Sequence, residues 1–413
     1  MGIVVQKYGG TSVGNVGRIK QVAERVKHSV QAGEQVIVVV SAMGDQTDKL
    51  VSLMYEVSNH PPRREMDMML TTGEQVSIAL LSAALQELNV PSISYTGWQA
   101  GISTKSQFGN ARIVDIHSER ILTAVHSGKV VIVAGFQGVT EAGEIATLGR
   151  GGSDTTAVAV AAAVSAERCE INTDVDGIYS TDPRIVPHAR KLSSVSFEEM
   201  LEMAALGASV LHPRAVEVAK VHGIKLLVRS SFSDNEGTFV KEATMIEQDI
   251  VVSGVAYDEN VSKIEILDIE NEMGVIADVF NTLAAENINV DMIVLSEHGA
   301  DTFDLAFTVG KEEAERTLEM IEARKLELKY RDAFSDKKVA KVSIIGAGMV
   351  TNPGVAAKMF NTLAENDIAM KLITTSEIKV SCLVPANDGK DAVNVLHSAY
   401  GLNADSDASR KSG

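Results

Sequence analysis

Ile3-Val4-Val5-Gln6-Lys7-Tyr8-Gly9-Gly10-Thr11-Ser12 decides how the N-terminal half of this chain is read. A short apolar run ends in a lysine, two glycines and two hydroxyls, and helical sequence follows. Phosphates are held by such parts. Glycines let backbone N–H groups come close, a helix N-terminus carries partial positive charge, and a lysine adds a full one. The spacing excludes a Walker A loop: with Gly9 and Gly14 in the glycine frame, Asn15 and Val16 occupy the Lys and Ser/Thr positions. Taken alone, Gly9-Gly10 fits a plain turn at least as well.

A chain of 413 residues predicts two or three domains, because single cores stop growing near roughly 250–300 residues. The formal charge of -17 argues against nucleic acid or an anionic membrane as partner, since both need clustered Lys/Arg. It leaves ATP open, which needs only a local basic spot. Cys169 and Cys382 lie far apart in apolar surroundings, too few for a disulfide framework or a zinc site, and point to the reducing cytosol. No signal peptide precedes Lys7, no apolar run reaches the roughly 18 residues of a membrane helix, and Gln6 breaks the myristoylation pattern. The expectation is a soluble cytoplasmic protein.

Up to about residue 230, strand and helix signals alternate. The β-branched runs 35–40 and 130–134 read as strands buried on both faces, Ile19, Val22 and Val26 mark a helix face, and 74–88 reads as a long apolar helix. This predicts an α/β domain of three layers with a largely parallel sheet, closed by the polar loop 230–238. The remainder holds an internal repeat. Phe280-Asn281-Thr282-Leu283-Ala284 recurs as Phe360-Asn361-Thr362-Leu363-Ala364, each copy after a strand-like run (261–269; 339–345) and a glycine (Gly274; Gly354). Two copies of β–loop–α–β at a period near 80 are too long and too few for a solenoid, and predict two small α+β modules. The expected domains are 1–244, 245–335 and 336–413, the last with a disordered tail from Asp405.

Four further segments join Lys7. Gly149-Arg150-Gly151-Gly152-Ser153-Asp154-Thr155-Thr156 opens onto an alanine-rich helix and reads as a second anion-ready helix start, with a Ser153 or Asp154 cap as the plainer alternative. Thr173-Asp174 and the polar stretch to Arg184 follow the strand at 169–171, and read as a nucleotide grip or as a surface loop. Ser41 and Thr47 sit where a buried strand ends, and Glu74 heads a helix, where acids also complement the dipole. Met66, Met68 and Met69 read as core filler. His212 reads as structural, since no Ser or Cys nucleophile pattern accompanies it.

KYGGTSV, SAMGxxTD, TTGEQ, GFQG, GRGGSDTTA and TDVDGIYSTDPR, in this order, resemble the aspartate kinases of the amino acid kinase family, and the duplicated tail resembles their paired ACT domains, ferredoxin-like α+β modules. The resemblance covers nearly the whole chain and fits the monofunctional bacterial type. Gly346-Ala347-Gly348 begins a dinucleotide fingerprint, but Thr351 stands where its third glycine belongs.

The resemblance implies that Lys7 contacts the transferring phosphate and the attacking carboxylate, that Gly9 and Gly10 shape the phosphate loop, and that Asp154 orients Lys7. It gives Arg150 the aspartate α-carboxylate, Glu74 its ammonium, and Ser41, Thr47 and Ser153 hydrogen bonds to the amino acid. Thr173, Asp174, Tyr179, Asp182 and Arg184 would hold ATP, with Mg²⁺ on the phosphates and no direct protein ligand for the metal. Tyr8, often Phe, and Asn172, often Tyr, are mild departures from the family wording. Alternatives are the same fold with glutamate, N-acetylglutamate, carbamate or a nucleotide monophosphate as acceptor, or an inactive amino acid sensor. Intact Lys7, Arg150 and Asp154 speak against the sensor.

ACT-like modules bind amino acids at the seam between modules. By resemblance, the loop Asn271-Glu272-Met273-Gly274-Val275 faces Asn289-Val290-Asp291, and the partner module supplies Ala369, Met370, Ser376 and Glu377. Asp291 would take an ammonium, although a turn glycine and a strand-end acid explain the pattern equally well. Lysine, threonine or both are the expected ligands. Seam binding implies a homo-oligomer, or a separately made copy of the tail for which Met245 is a possible start.

Overall fold

The computed structural model describes residues 2–205, 210–243, 251–272, 274–298 and 301–404, so the tail from Asp405, Met245 and Met273 lie outside the described residues. Contacts divide the chain into two compact units. The first runs from the N-terminus to Ile178 and resumes over Lys191–Ala205 and 210–243; the second comprises Tyr179–Arg190 and the chain from 251 onward.

An eight-stranded sheet forms the middle of the first unit. Its spatial order is Ser194–Ser196, Thr238–Lys241, Leu226–Ser230, Arg168–Thr173, Ile3–Tyr8, Gln35–Val40, Val130–Ala134 and Ser92–Tyr95. Every neighbouring pair is parallel except the hairpin Leu226–Ser230 with Thr238–Lys241, whose connection is the expected polar loop. The Val/Ile runs of Gln35–Val40 and Val130–Ala134 occupy adjacent inner positions, where both faces are covered. Against one face pack Ile19, Val22, Ala23 and Val26 of the helix Val16–Gln31, together with Ile78, Leu81 and Leu85 of the helix Thr72–Glu87. Tyr8 and the strand valines meet them there, so by the two-residue period Lys7 points to the opposite face. A smaller sheet of four short strands, Ile102–Thr104, Ile113–Ile116, Gln137–Thr140 and Ile145–Thr147, completes the unit.

One expectation needs correction. The helices Arg63–Leu70 and Thr72–Glu87 meet through Thr71, and Arg63–Glu87 is long and apolar enough to cross a membrane by length and composition. Half of its apolar window is buried, with Ile78, Leu81 and Leu85 in the core, which is the property of an internal helix.

In the second unit the repeat becomes two four-stranded antiparallel sheets. Ser262–Glu270, Val275–Ala285, Ile293–His298, Thr302–Val309, Ala314–Ala323 and Asp332–Asp336 make one β-α-β-β-α-β module. Val339–Ile345, Val355–Glu365, Leu372–Thr375, Lys379–Pro385 and Gly389–Ala399 repeat it, but the fourth strand of that sheet is Gly254–Asp258, from before the first module. The two sheets therefore interleave along the sequence. The copies match in detail: Gly274 and Gly354 open their helices at φ +97° and +94°, Asn287 and Asp367 follow them at +58° and +57°, and Leu283, Leu363, Ile288 and Ile368 are all buried. Asn and Asp tolerate that left-handed conformation better than other side chains, which explains their place in the repeat.

Candidate active site

The Ile3–Tyr8 strand lies between Gln35–Val40 and Arg168–Thr173, with Lys7 opposite Val39 and Ile171. The loops that follow these parallel strands emerge at one sheet edge, where the chain order diverges to either side, the usual place for a ligand in an open α/β sheet. Lys7 Nζ lies 2.7 Å from Asp154 Oδ1, with only 12% and 13% of the two side chains exposed. Asp154 belongs to the first turn of the helix Gly152–Ala163, so the cation of the strand end is held at a helix N-terminus.

Backbone chemistry fixes this helix start. Gly149 and Gly151 have φ of +75° and +67°, and a Cβ on Gly151 would stand 2.2 Å from His212 Cγ. The imidazole, whose Nδ1 accepts the Arg214 N–H at 3.3 Å to cap the helix Pro213–His222, is the wall against which the loop folds. Burial, and secondarily the Arg214 charge, holds the His212 pKa below the ordinary value. Arg214 donates to the carbonyls of Leu148 and Ala111 and to Asn110 Oδ1, at 2.7, 2.9 and 3.0 Å. On the other side the buried Asp67 carboxylate accepts from the Thr147 N–H and hydroxyl and from the Gly109 N–H. Asp67 and Arg214 were not anticipated from the sequence, because each acts through partners about 40 to 100 positions away. Above this root Arg150 is exposed and has no hydrogen bond or ion pair among the described residues. Ser153 packs against Gly135, where a Cβ would come within 2.6 Å of the Ser153 hydroxyl.

Glu74 is the second anchor. Although helical and only 3% exposed, its carboxylate has one hydrogen bond, Oε1 accepting from the Ala42 N–H at 3.1 Å, while Oε2 has no partner among the described residues. Burial pushes its pKa up to about 7, against the opposing pull of two backbone N–H groups. The same loop carries Ser41, half-buried, and leads to Thr47 in the first turn of the helix Gln46–Val57. It is laced to the glycine loop after Lys7: the Gly44 N–H donates to the Gly10 carbonyl at 3.0 Å, and a Cβ on Gly10 would be 3.0 Å from the Ala42 oxygen. Gly9 leaves room beside the Lys7 ammonium, 3.2 Å from where its Cβ would stand.

Thr173 and the exposed Asp174 end the strand next to Ile3–Tyr8, with the Thr173 hydroxyl donating to Asp174 Oδ1. Tyr179, Asp182 and Arg184 belong to the segment Tyr179–Arg190 of the other unit. There Tyr179 packs on the cluster that contains Val342, Ile344 and Val380, and Arg184 Nε and Nη2 grip the Asp182 carboxylate at 2.6 to 3.0 Å. The structure thus brings Lys7, Gly9, Gly10, Ser41, Thr47, Glu74, Arg150, Ser153, Asp154, Thr173 and Asp174 into one unit and leaves those three in the second. Among the described residues no group of three or more His, Cys, Asp or Glu side chains is arranged to hold a metal ion.

In the second unit, Asn271 and Gly274 flank the loop before the helix Val275–Ala285, and Val275 is buried at its start. Asn289, Asp291, Ala369, Ser376 and Glu377 are exposed, and Val290 and Met370 half-buried. Asp291 already holds an ammonium. Lys341, 5% exposed on the strand Val339–Ile345, pairs with its Oδ2, and Asp258 stands 3.7 Å from the same nitrogen.

The amino acid kinase family model matches residues 2–230, and ACT domain models match 264–325 and 342–400. The chain is thus a kinase built from an amino acid kinase domain and two ACT domains. The aspartokinase of Bacillus sp. (strain MGA3) is 54% identical over 97% of this chain and 98% of its own length. E. coli aspartokinase III in complex with aspartate and ADP (R-state) is 28% identical at a TM-score of 0.80, over 96% of this chain and 99% of its own. The same enzyme with lysine and aspartate (T-state) is 29% identical at 0.76, over the same shares. Within the amino acid kinase family, the chain belongs with the aspartokinases.

Proposed function

We propose that the chain transfers the γ-phosphoryl group of ATP to the side-chain carboxylate of L-aspartate, giving 4-phospho-L-aspartate and ADP, the first step of lysine, threonine and methionine biosynthesis. One observation carries the choice of acceptor: a cation without a partner, Arg150, and a buried carboxylate oxygen without a partner, Glu74 Oε2, accompany the Lys7–Asp154 pair in one unit. A free amino acid has one group for each. An N-acetylated acid or a nucleotide would leave Glu74 facing no ammonium. The aspartate and ADP held by E. coli aspartokinase III support the same reading.

The attacking carboxylate is already a nucleophile, so no general base is needed. The barrier lies in bringing two anions together, and catalysis is positioning plus charge neutralisation. Lys7, held by Asp154, supplies positive charge between acceptor and phosphoryl group. Gly9 and Gly10 let the nucleotide approach, and the N-terminus of Gly152–Ala163 adds partial charge. Arg150 takes the α-carboxylate as a two-toothed guanidinium, Glu74 the ammonium, and Ser41, Thr47 and Ser153 hydrogen-bond the amino acid. Thr173, Asp174, Tyr179, Asp182 and Arg184 serve ATP, which brings Mg²⁺ on its phosphates. The cytosol, where ATP and free thiols coexist, is the fitting compartment.

Lysine, threonine or both are the proposed inhibitors, bound at the ACT modules by Asn271, Gly274, Asn289, Asp291, Met370, Ser376 and their neighbours, in a homo-oligomer or in a complex with a separately made copy of the C-terminal part. Release of ADP from Mg-ATP, with L-aspartate against L-glutamate and N-acetyl-L-glutamate, and with lysine, threonine or both added, tests the reading. Turnover on aspartate alone is expected. Turnover on none, with tight effector binding, would make the chain a sensor.

A further inference from the structure

A buried polar row lies on the face of the large sheet opposite Lys7. Tyr8, Asn172 and Arg229 are cross-strand partners on three adjacent parallel strands, with Asn172 in the middle. Arg25, on the helix that covers this face, donates from Nη1 to the Ser233 carbonyl at 3.1 Å. The fully buried Tyr8 phenol, which donates to Gln6 Oε1, feels the charges of both arginines.

This cluster is poorly satisfied from within. Asn172 is 0% exposed, yet neither Nδ2 nor Oδ1 has a hydrogen-bond partner among the described residues, and the same holds for Arg229 Nε, Arg25 Nη2 and the Ser233 hydroxyl, all buried atoms. Leaving buried polar groups unpaired costs about 1–3 kcal/mol each, so a cluster of them in a native fold is a place where a polar occupant stabilises. The charge is one-sided as well. Glu170, on the same strand face, is taken by Arg168 at 2.7 Å and by Gln6 at 3.2 Å. The other nearby carboxylate, fully exposed Asp234, reaches only to 4.0 Å from Arg25 Nη2.

We infer that Arg229, Arg25, Asn172 and Ser233 form a binding site for a hydrogen phosphate group. Unpaired donors of two guanidiniums, an amide and a hydroxyl lie on neighbouring elements together with two positive charges, a set that suits an oxyanion. Asn172 Oδ1 needs a donor in return. Hydrogen phosphate carries a P–OH and supplies one; sulfate has none. The Asn172 carbonyl accepts from the Gly9 N–H and the Ser12 hydroxyl, both at 3.4 Å, so the occupant steadies the strand end on which the loop after Lys7 rests.

The test uses the full chain saturated with a non-hydrolysable ATP analogue and L-aspartate, so that the anion positions beside Lys7, including that of the transferring phosphoryl group, are filled. Inorganic phosphate, sulfate and glycerol 3-phosphate are titrated by calorimetry, with the thermal midpoint as a second readout. Saturable phosphate binding is expected, with sulfate weaker by about tenfold or more. Arg229→Met should weaken phosphate by a similar factor, Arg229→Lys less, and Asn172→Leu should abolish the preference over sulfate. Glycerol 3-phosphate, which loses its P–OH above a second pKa of about 6, should bind no better than sulfate at pH 8, and binding as tight as phosphate there would overturn the inference. No phosphate binding, equal affinity for sulfate, or unchanged affinity in folded Arg229→Lys would overturn the inference. Turnover is not read, so the outcome is independent of the substrate.

Discussion

Lys7 Nζ and Asp154 Oδ1, 147 positions apart in the sequence, stand 2.7 Å from each other and join a strand end to a helix start. The ion pair holds the ammonium beside the helix start, and on the proposed mechanism it would orient Lys7 toward the phosphoryl group.

Lys7→Ala is expected to lower turnover by about 10²-fold or more while circular dichroism and the thermal midpoint stay close to those of the parent. The ammonium lies at a strand end outside the apolar clusters, and the Asp154 carboxylate it would leave behind sits in the first turn of a helix, where negative charge is favoured. Near-normal ADP release would remove Lys7 from the mechanism.

Glu74 makes stability and substrate affinity depend on pH in opposite senses. Its folded pKa of about 7 lies above the unfolded value of 4.5, so the folded state binds the extra proton between those values. Stability therefore falls as pH rises through that window, by an amount on the order of 3 kcal/mol, and levels off above it. Glu74→Gln should flatten this dependence and raise stability at pH 8 in urea titrations. If Glu74 takes the ammonium of aspartate as proposed, it does so in the ionised form, and KM for aspartate should fall as pH approaches 7. In Glu74→Gln it should be high and flat, with kcat changed less. A variant that keeps the parent's KM profile would refute the assignment.

Gly151→Ala should cost about 1–3 kcal/mol, because it strains a φ of +67° and drives a methyl group into His212. Shortening the wall with His212→Gly in the same chain should return part of the loss. A double-mutant cycle in denaturant measures the coupling, and additive effects would show that the contact is not the cause.

The pair Lys341–Asp291 should be asymmetric. Asp291→Asn leaves a buried ammonium with only Asp258 at 3.7 Å, and is expected to destabilise the second unit by about 3 kcal/mol. Lys341→Met removes the buried charge and leaves an exposed carboxylate, and should be near neutral or stabilising. Equal losses by chemical denaturation would contradict this.

Leu283→Ala and Leu363→Ala, equivalent positions of the repeat and both buried, should each cost about 2–5 kcal/mol. Hydrogen exchange of the strand pairs that each leucine covers would locate the loss in its own module. A loss confined to one copy for both variants would mean that the copies are not structurally equivalent.

What the sequence determined by itself was local or repetitive. Lysine and glycines after a β-branched run, glycines before an alanine-rich helix, and Phe-Asn-Thr-Leu-Ala written twice all act through backbone conformation and side-chain period, which neighbouring residues specify. Tertiary structure decided what depends on distant partners. Glu74 is a helix-start acid in the sequence; only burial beneath the Ala42 loop leaves one of its oxygens unpartnered and raises its pKa. Asp291 reads as a free acid until Lys341 is found on it. Gly254–Asp258 has the pattern of any short strand, and its place in the second module's sheet rests on pairing with residues 341–345. Tyr179, Asp182 and Arg184 continue a loop from the first unit yet pack in the other, because the apolar cluster around Val342 offers Tyr179 more burial than its own loop can. Local sequence sets which conformations are cheap, and burial and charge pairing across the chain set which of them carries a site.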